Sequence, residues 1–438
     1  MERSSCIREF ARYTLLSVLG TLGVSCYILA DTFFVSKGLG TNGLTALNLA
    51  IPAYNFIHGT GLMLGMGGAI QFSVARGQGN QKAVDGVYTT TIGLAVLFSV
   101  LFMLPGMLCS DRLAVLLGAD AAVLEMTETY LKWLLLFSPA FLLNDIFLCF
   151  VRNDESPQLV MAAMLAGSLA NILLDYVFIF PMGMGIFGAI FATGLSPLIS
   201  MALMTPHWRK GKNSFHLMKT GIHIEWVGKN LSLGFPSLLA QVSSGIVMIV
   251  FNQIILRLEG NAGVAAYGVI ANISLVVVAV YTGIAQGVQP LVSRFYAMGN
   301  QTRARTMLRY ALATMFVSAG VIYGCLLLFT QPVIAVFNSE NNIELQRIAA
   351  SGLKLYFLSM PFVGYNIILA TFFTSIEKAL PAHILSLLRG FVLLVPLAFL
   401  LAELWGMTGV WLAYPITEGI VLLLGFVIDK RTERKSDS

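Results

Sequence analysis

The chain has 438 residues, of which 57% are apolar and only 11% are charged, and its mean hydropathy is +0.79. Soluble domains carry about 25% charged residues, so this composition excludes a soluble protein and indicates an integral membrane protein. The net charge of +5 does not point to nucleic acid, because the basic residues lie in particular loops. The five cysteines are scattered without a CxxC pair, which indicates small apolar side chains rather than disulfides or zinc ligands.

Apolar runs near the length needed to cross a bilayer recur twelve times along the chain. The first run follows three arginines but extends to about Val35, which is too long for the apolar part of a cleaved signal peptide, so we predict an uncleaved first span. The second run is overlong and is expected to protrude from the membrane. The predicted spans are 13–36, 44–75, 87–109, 128–151, 158–180, 187–205, 231–256, 264–293, 307–330, 352–374, 382–401 and 407–428.

Lysines and arginines are distributed unequally between the two sides of the predicted membrane. If both termini are cytoplasmic, 20 of the 27 basic residues lie in inner segments, four lie in outer loops and three lie within spans. Because cytoplasmic loops carry an excess of Lys and Arg, both ends are predicted to be cytoplasmic.

The second half of the chain repeats the first at a shift of about 220 residues. Six spans per copy is an even number, so both copies cross the membrane in the same direction, as in secondary transporters with parallel repeats. We therefore predict an all-α integral membrane fold with twelve transmembrane helices, in two six-helix lobes related by a pseudo-two-fold axis along the membrane normal. The predicted lobes are 1–205 and 226–438, joined by a cytoplasmic linker at 206–225. The matching positions include Gln71 with Gln289, Arg76 with Arg294, Lys132 with Lys354, Pro139 with Pro361, Asn144 with Asn366, and Gly185 with Gly406.

Acidic residues at membrane depth are the strongest functional signal in the chain. Asn171 and Asp175 are four residues apart in the fifth span, so they share one helix face. Asp31, Asp175 and Thr193 each lie six residues from the outer end of a span, roughly 9 Å inside the boundary at 1.5 Å per residue. Asn171 and Tyr27 lie one turn deeper. An ionisable residue in a span defaults to a functional hypothesis, and these five residues are the predicted cation-coupling site.

Two kinds of cation suit such a site. Burial disfavours the charged form of a carboxyl group and a second carboxylate disfavours it further, so a proton can be held there. Alternatively, Asp31, Asp175 and Asn171 supply the oxygen ligands that Na⁺ prefers. The opposing interpretation is structural: each acid is bound to a neighbouring hydroxyl or amide, and Thr193 or Tyr27 bonds within its own helix.

Three further polar residues lie within spans of the predicted bundle. Asp145 is near the inner end of the fourth span, where solvation or pairing with Arg152 competes with substrate contact. Glu418 is a candidate for attracting cationic cargo from the second lobe. His58 is either a buried, satisfied histidine or a proton relay.

Four segments together resemble the MATE (multidrug and toxic compound extrusion) transporters, on the bacterial branch of MepA-like and DinF-like members. The similarity covers essentially the whole chain. It implies export of cationic amphipathic drugs or toxic metabolites in exchange for H⁺ or Na⁺, with ion coupling at Tyr27, Asp31, Asn171, Asp175 and Thr193. The segments are Ala30-Asp31-Thr32-Phe33-Phe34-Val35, Arg152-Asn153-Asp154-x-x-Pro157, Asn171-x-x-Leu174-Asp175-Tyr176-x-Phe178-Ile179-Phe180 and Gly183-x-Gly185-x-x-Gly188-Ala189-x-x-Ala192-Thr193.

Some positions depart from the family pattern. Where some relatives have acidic residues in spans seven and ten, this chain has Gln241 and Asn366, so a second-lobe ion site is not expected. With His58 and Glu418, these two positions form the predicted substrate cavity. Glu155 stands where the family usually has a glycine after Asn-Asp. Glutamate adopts a positive φ less readily than glycine, so the family's backbone conformation at this turn is not assumed.

Alternating access between the two lobes is the predicted mechanism. A lipid-linked precursor flippase of the same superfamily is the main alternative, but its anionic cargo would need several basic residues in the spans, where this chain has only Lys132, Lys354 and Arg389. An enzyme is not expected, because the chain lacks HExxH and GxSxG motifs, and no cofactor beyond the coupling ion is predicted. The expected partners are small cationic molecules and the lipid bilayer, without nucleic acid, and the expected state is a monomer.

Overall fold

The computed structural model describes residues 2–219, 223–338 and 342–437, without the side chains of residues 2–5 and 434–437. Residues 220–222 of the predicted linker, 339–341 of the predicted second lobe, and residues 1 and 438 lie outside these ranges. Within the described ranges the chain is helical and has no strand. A 3₁₀ turn spans Phe357–Ser359 and a π-helical segment spans Leu388–Val392. The α-helices are α1 (Glu2–Gly77), α2 (Gln81–Leu108), α3 (Ser110–Leu116), α4 (Leu124–Leu136), α5 (Ser138–Asn153), α6 (Pro157–Ile179), α7 (Gly185–Met204), α8 (Pro206–Arg209), α9 (Ile224–Ala297), α10 (Gln301–Leu328), α11 (Thr330–Phe337), α12 (Ile343–Tyr356), α13 (Met360–Ser375), α14 (Ala379–Leu387) and α15 (Leu394–Asp437).

Three glycines divide helical runs that are too long for one membrane crossing. Gly40 in α1, Gly260 in α9 and Gly406 in α15 have φ of +66°, +61° and +58° with extended ψ. Glycine adopts a positive φ readily because it has no Cβ. The backbone therefore leaves the helical path at each glycine, and each run consists of two helices.

The described chain contains the twelve predicted spans. Eight helical runs are long and apolar enough to cross a membrane, and α4 with α5, bent by 48° around Phe137, forms a ninth. The glycine breaks each divide one of these runs in two, which brings the number of spans to twelve. Six spans precede the predicted linker and six follow it. The predicted all-α, twelve-helix, two-lobe architecture is confirmed.

The internal repeat is visible in the backbone as well as in the sequence. Left-handed residues recur at matching places in the two halves, at glycines and at one glutamate in each half. A sequence repeat alone need not reproduce such local conformations, so their recurrence indicates that the two halves share their turns. The matched pairs are Gly40 with Gly260, Gly79 with Gly299, Gly185 with Gly406, and Glu155 with Glu377.

Two compact units make up the described chain. The first unit extends to Val242 and includes Ser293–Gln301, and the second contains Ser243–Val292 and the chain from Thr302 onward. In the first unit, α6 packs against both α1 and α7. Close contact between α6 and α7 is possible because Gly167 has no side chain, and the Ser196 hydroxyl donates to the Gly167 carbonyl at 2.8 Å.

The first part of the predicted linker is bound to the first unit. Phe215 is fully buried, and its ring lies 4.6 Å from that of Tyr88 and 5.5 Å from that of Phe150. Two backbone N–H groups of the same segment bond to α2, from His216 to Asp85 and from Met218 to Thr89. This segment is therefore part of the first unit's packing rather than a free tether.

Candidate cation site in the first unit

Helix α6 presents a polar, buried face and an apolar, exposed face. It begins with Pro157 at its first position, where the missing N–H has no partner to lose. Asn171 and Asp175, one turn apart, have no exposed surface. Leu169 and Leu173, which point to the other side, are 61% and 65% exposed, as expected for lipid contact.

The carboxyl groups of Asp31 and Asp175 meet between α1 and α6. Asp31 is 8% exposed, and the two side chains lie within hydrogen-bonding reach of each other. Both oxygens of Asp175 and Oδ1 of Asp31 have no donor among the described residues. A pair so placed can share a proton or bind a cation, but double ionisation without a counter-ion would be costly.

Asn171 and Thr193 lie beside this pair, on α6 and α7. The Asn171 amide nitrogen is 3.4 Å from the Thr193 hydroxyl, which itself donates to the Ala189 carbonyl of its own helix at 3.1 Å. Asn171 Oδ1 is buried without a donor. Thr193 thus makes the intrahelical bond of the structural interpretation, while Asn171 keeps an oxygen able to bind a cation.

Tyr27 makes its hydrogen bond outside the carboxyl pair. Its hydroxyl is 2.9 Å from the hydroxyl of Tyr54, in the second half of α1. It lies one helical turn from Asp31, and the charge of Asp31 acts on it electrostatically. Tyr27 is therefore a neighbour of the site, but its hydroxyl is hydrogen-bonded to Tyr54 rather than to a residue of the site.

Tyr130 belongs to the site but was not among the predicted residues. It is 4% exposed, its hydroxyl hydrogen-bonds the Thr193 side chain, and the charges of Asp31 and Asp175 both act on it. In the sequence it is one tyrosine among apolar residues near the outer end of a predicted span. Its spacing of two residues from Lys132 could have indicated its depth in the membrane. The spacing could not have indicated that this side of α4 faces α7.

The pair has no basic partner in the described part of the chain. The ion pairs that the structure describes there involve other acids, among them Asp145, Asp154 and Glu418. The described residues also contain no group of three His, Cys, Asp or Glu side chains that could hold a metal ion. A cation at this site would therefore be held by oxygens of Asp, Asn and Thr residues.

The other predicted polar residues form two separate clusters. In the first unit, His58 Nδ1 lies 2.8 Å from Asp145 Oδ2, so the partner of Asp145 is His58 rather than Arg152. Gln241 is in the same unit, with its Cβ packed against Gly59.

In the second unit, Glu418 is buried and ion-paired. Arg389 donates from Nε and Nη2 to Glu418 Oε1 at 3.0 and 2.9 Å. The Asn366 amide donates to Glu418 Oε2 at 2.7 Å. The charge of Glu418 is thus compensated within the protein, which distinguishes it from the Asp31–Asp175 pair.

Comparison with known proteins identifies the family. The profile of the MatE family matches residues 17–177 and 236–400, more than half of the chain. The chain is 23% identical over 429 residues to the multidrug export protein MepA of Staphylococcus saprophyticus, covering 98% of this chain and 94% of that protein. It is 24% identical to MepA of Staphylococcus aureus over 433 residues, with the same coverage.

Solved structures share the fold. A multidrug resistance MATE family transporter in an outward-facing conformation has a TM-score of 0.92, at 23% identity over 98% of this chain and 96% of that one. A MOP superfamily transporter from Pyrococcus furiosus has a TM-score of 0.90, at 23% identity over 97% and 95%. The resemblance stated from the sequence motifs is confirmed: the chain belongs to the MatE family, the multidrug and toxic compound extrusion transporters.

Proposed function

We propose that this transporter is a cation-coupled antiporter that exports cationic amphipathic drugs or toxic metabolites. The observation that carries the proposal is the buried Asp31–Asp175 pair, whose oxygens have neither a basic partner nor, for three of the four, a described donor. Uncompensated carboxylates at membrane depth are costly and mark ion pathways. Binding of a cation would relieve that cost, and release of the cation would restore it.

The coupling ion is H⁺ or Na⁺. A proton would be shared between the Asp31 and Asp175 carboxyl groups. Sodium would be bound by oxygens of Asp31, Asp175 and Asn171, with Thr193 beside them, because hard cations prefer oxygen ligands. Both chemistries use the same buried oxygens, so the driving ion must be identified by experiment.

Coupling requires only that the ion and the cargo bind two states of the protein unequally. One charge moving down a potential of 100 mV supplies about 2.3 kcal/mol. One unit of pH difference adds about 1.4 kcal/mol. Together these free energies would sustain a cargo gradient of roughly several hundred-fold, since each 1.4 kcal/mol corresponds to a factor of ten.

The relatives named as multidrug export proteins support small-molecule cargo. His58 and Gln241 are the proposed cargo-contacting residues of the first unit, and Asn366 and Glu418 are those proposed for the second. Because Glu418 is already paired with Arg389, it can attract a cationic cargo only when that ion pair opens. The same pairing argues against the flippase alternative, because the charge of Arg389 is not free to bind an anionic headgroup.

A monomer in a bacterial cell (inner) membrane, with both termini in the cytoplasm, is part of the proposal. The excess of basic residues in the segments assigned to the inside supports the orientation, and the staphylococcal relatives support a bacterial cell membrane.

Ethidium uptake into inside-out membrane vesicles tests the proposal, with a proton gradient and a sodium gradient imposed separately. We expect uptake with one gradient in the wild type, and loss of that uptake in Asp31→Asn and in Asp175→Asn, since each variant removes one of the paired charges. Asp111→Asn, an exposed acid in the first turn of α3, is the control. Wild-type uptake by either site variant would contradict the proposal.

A further inference from the structure

The His58–Asp145 pair is a second place in the first unit where a buried carboxylate meets a titratable partner. His58, from the second half of α1, and Asp145, from α5, approach to 2.8 Å, and their side chains are 26% and 6% exposed. His58 therefore presents an accessible edge, while Asp145 depends on it for its compensating charge. Neither residue belongs to the Asp31–Asp175 site.

Glycines in α1 make this approach possible. A Cβ at Gly61 would collide with Asp145 Oδ2, and a Cβ at Gly65 would lie 2.9 Å from the Asp145 carbonyl oxygen. Small residues at a helix interface allow the backbones to come close in a membrane. The chain thus brings the Asp145 carboxylate against α1 at Gly61, about one turn beyond His58.

Charge balance shows what the pair would bind. With one proton, the pair is neutral, either as an ion pair or as a neutral histidine with a protonated acid. Without that proton, one negative charge is left in an apolar surrounding at substantial cost. The proton would therefore leave to water only when another positive charge arrives to replace it. This exchange keeps the net charge of the site constant.

Two tyrosines connect the surroundings of this pair with those of Asp31. The Tyr54 ring stacks on His58 with centroids 5.8 Å apart, and its hydroxyl is 2.9 Å from that of Tyr27, one turn from Asp31. The charges of Asp31 and Asp145 both act on both hydroxyls. Among the described residues, two further groups on α5 belong to these surroundings: Cys149, on which the charge of Asp145 acts, and Arg152, whose charge also acts on Cys149.

We propose that His58 and Asp145 form a second proton-binding site, linked through Tyr54 and Tyr27 to the Asp31–Asp175 pair, at which a cationic cargo displaces one proton. The inference rests on the proposed antiport function. It adds the number of protons exchanged for each cargo molecule at this pair and a connection between the two sites. It assigns Tyr27 and Tyr54 a positioning role between the two sites.

The test is proton release from purified protein in weakly buffered detergent, reported by a pH-sensitive dye on addition of tetraphenylphosphonium. We expect Asp145→Asn, alone and combined with His58→Gln, to release about one proton fewer per molecule than the wild type, because neither variant keeps an acid that holds the exchangeable proton. His58→Gln alone leaves a buried acid that can still hold that proton. His216→Gln, an exposed histidine, should release the wild-type number. A cooperative thermal unfolding transition in detergent, measured on each variant, shows that the variant is folded, independently of cation binding.

The outcomes separate the two proposals. Unchanged proton release in folded Asp145→Asn and in the folded double variant would overturn the second site and leave the Asp31–Asp175 proposal intact. A wild-type protein that binds tetraphenylphosphonium without releasing any proton would overturn the second site, and vesicle uptake under a sodium gradient would then decide the antiport proposal on its own. Tyr54→Phe should also reduce the proton release, because it removes the hydroxyl that contacts Tyr27. Unchanged proton release in Tyr54→Phe would overturn the link through the tyrosines.

Discussion

Glu155 and Glu377 hold the same left-handed backbone conformation, with φ of +63° and +59°, at matching turns in the two halves of the chain. For a residue with a Cβ this conformation costs roughly 1–2 kcal/mol. Glu155 is exposed and pairs with Arg76 only at 3.3 Å, an interaction of small value at a surface. The turn at Glu155 therefore keeps a left-handed backbone that suits glycine, although this sequence has a glutamate there.

Glu155→Gly should therefore stabilise the protein by about 1 kcal/mol, since relief of the left-handed strain exceeds the entropy cost of glycine and the lost surface pair. The measurement is the apparent melting temperature in detergent. Glu344→Gly, in the first turn of α12, is the matched control and should lower it, because there glycine replaces a helical residue. A lower melting temperature for Glu155→Gly would contradict the interpretation.

Asp154 should make stability depend on acid pH. Burial raises the pKa of its carboxyl group, but hydrogen bonds from His207 and Ser214 and the charge of Arg76 outweigh burial and hold the pKa below its usual range. The sign follows by linkage: the stabilisation is fully present above the unfolded pKa of about 4 and is lost as pH falls through the lower folded pKa.

Asp154→Asn replaces one acceptor oxygen by an amide that faces donors from Arg76, His207 and Ser214. At pH 7 we expect a loss of about 3 kcal/mol, typical of breaking a buried charge cluster. The difference in melting temperature from the wild type should shrink as the pH falls below about 4, because the carboxylate of the unfolded wild type then takes up a proton while the folded one is still charged. A difference that is constant from pH 7 to pH 3 would rule out this electrostatic account.

Tyr130→Phe should weaken the cation site without unfolding the protein, because the ring stays buried and only the hydroxyl bond to Thr193 is lost. One such bond contributes about 1 kcal/mol, which corresponds to a several-fold higher coupling-ion concentration for half-maximal ethidium uptake. Tyr88→Phe removes a hydroxyl from the aromatic cluster around Phe215 and should leave that concentration unchanged. Equal effects of the two substitutions would place Tyr130 outside the site.

The buried Glu418–Arg389 pair gives a prediction that separates structural support from cargo binding. Glu418→Gln leaves the Arg389 guanidinium uncompensated and should destabilise the protein by about 3 kcal/mol. The double variant Glu418→Gln with Arg389→Met removes both charges and should recover most of the melting temperature. If Glu418→Gln instead keeps the wild-type melting temperature and loses tetraphenylphosphonium binding, its main role is in cargo recognition.

The one-dimensional pattern of the chain determined the membrane class, the twelve spans and the repeat, because hydrophobic length and helical periodicity are properties of contiguous residues. It also determined that Asp31 and Asp175 lie at one depth, since depth along a helix follows from residue count. The family then followed from short motifs such as Ala30–Val35. None of these inferences needed a contact between distant segments.

Only the tertiary structure decided which polar groups meet. The rotation of each helix about its own axis depends on packing against other helices, and the sequence spacing within one helix carries no information about it. Packing therefore joined Asp31 to Asp175, added Tyr130, turned Tyr27 towards Tyr54, and gave Asp145 the partner His58 instead of Arg152. It likewise paired Glu418 with Arg389, because a charge buried in an apolar bundle is stable only where another helix supplies its counter-ion.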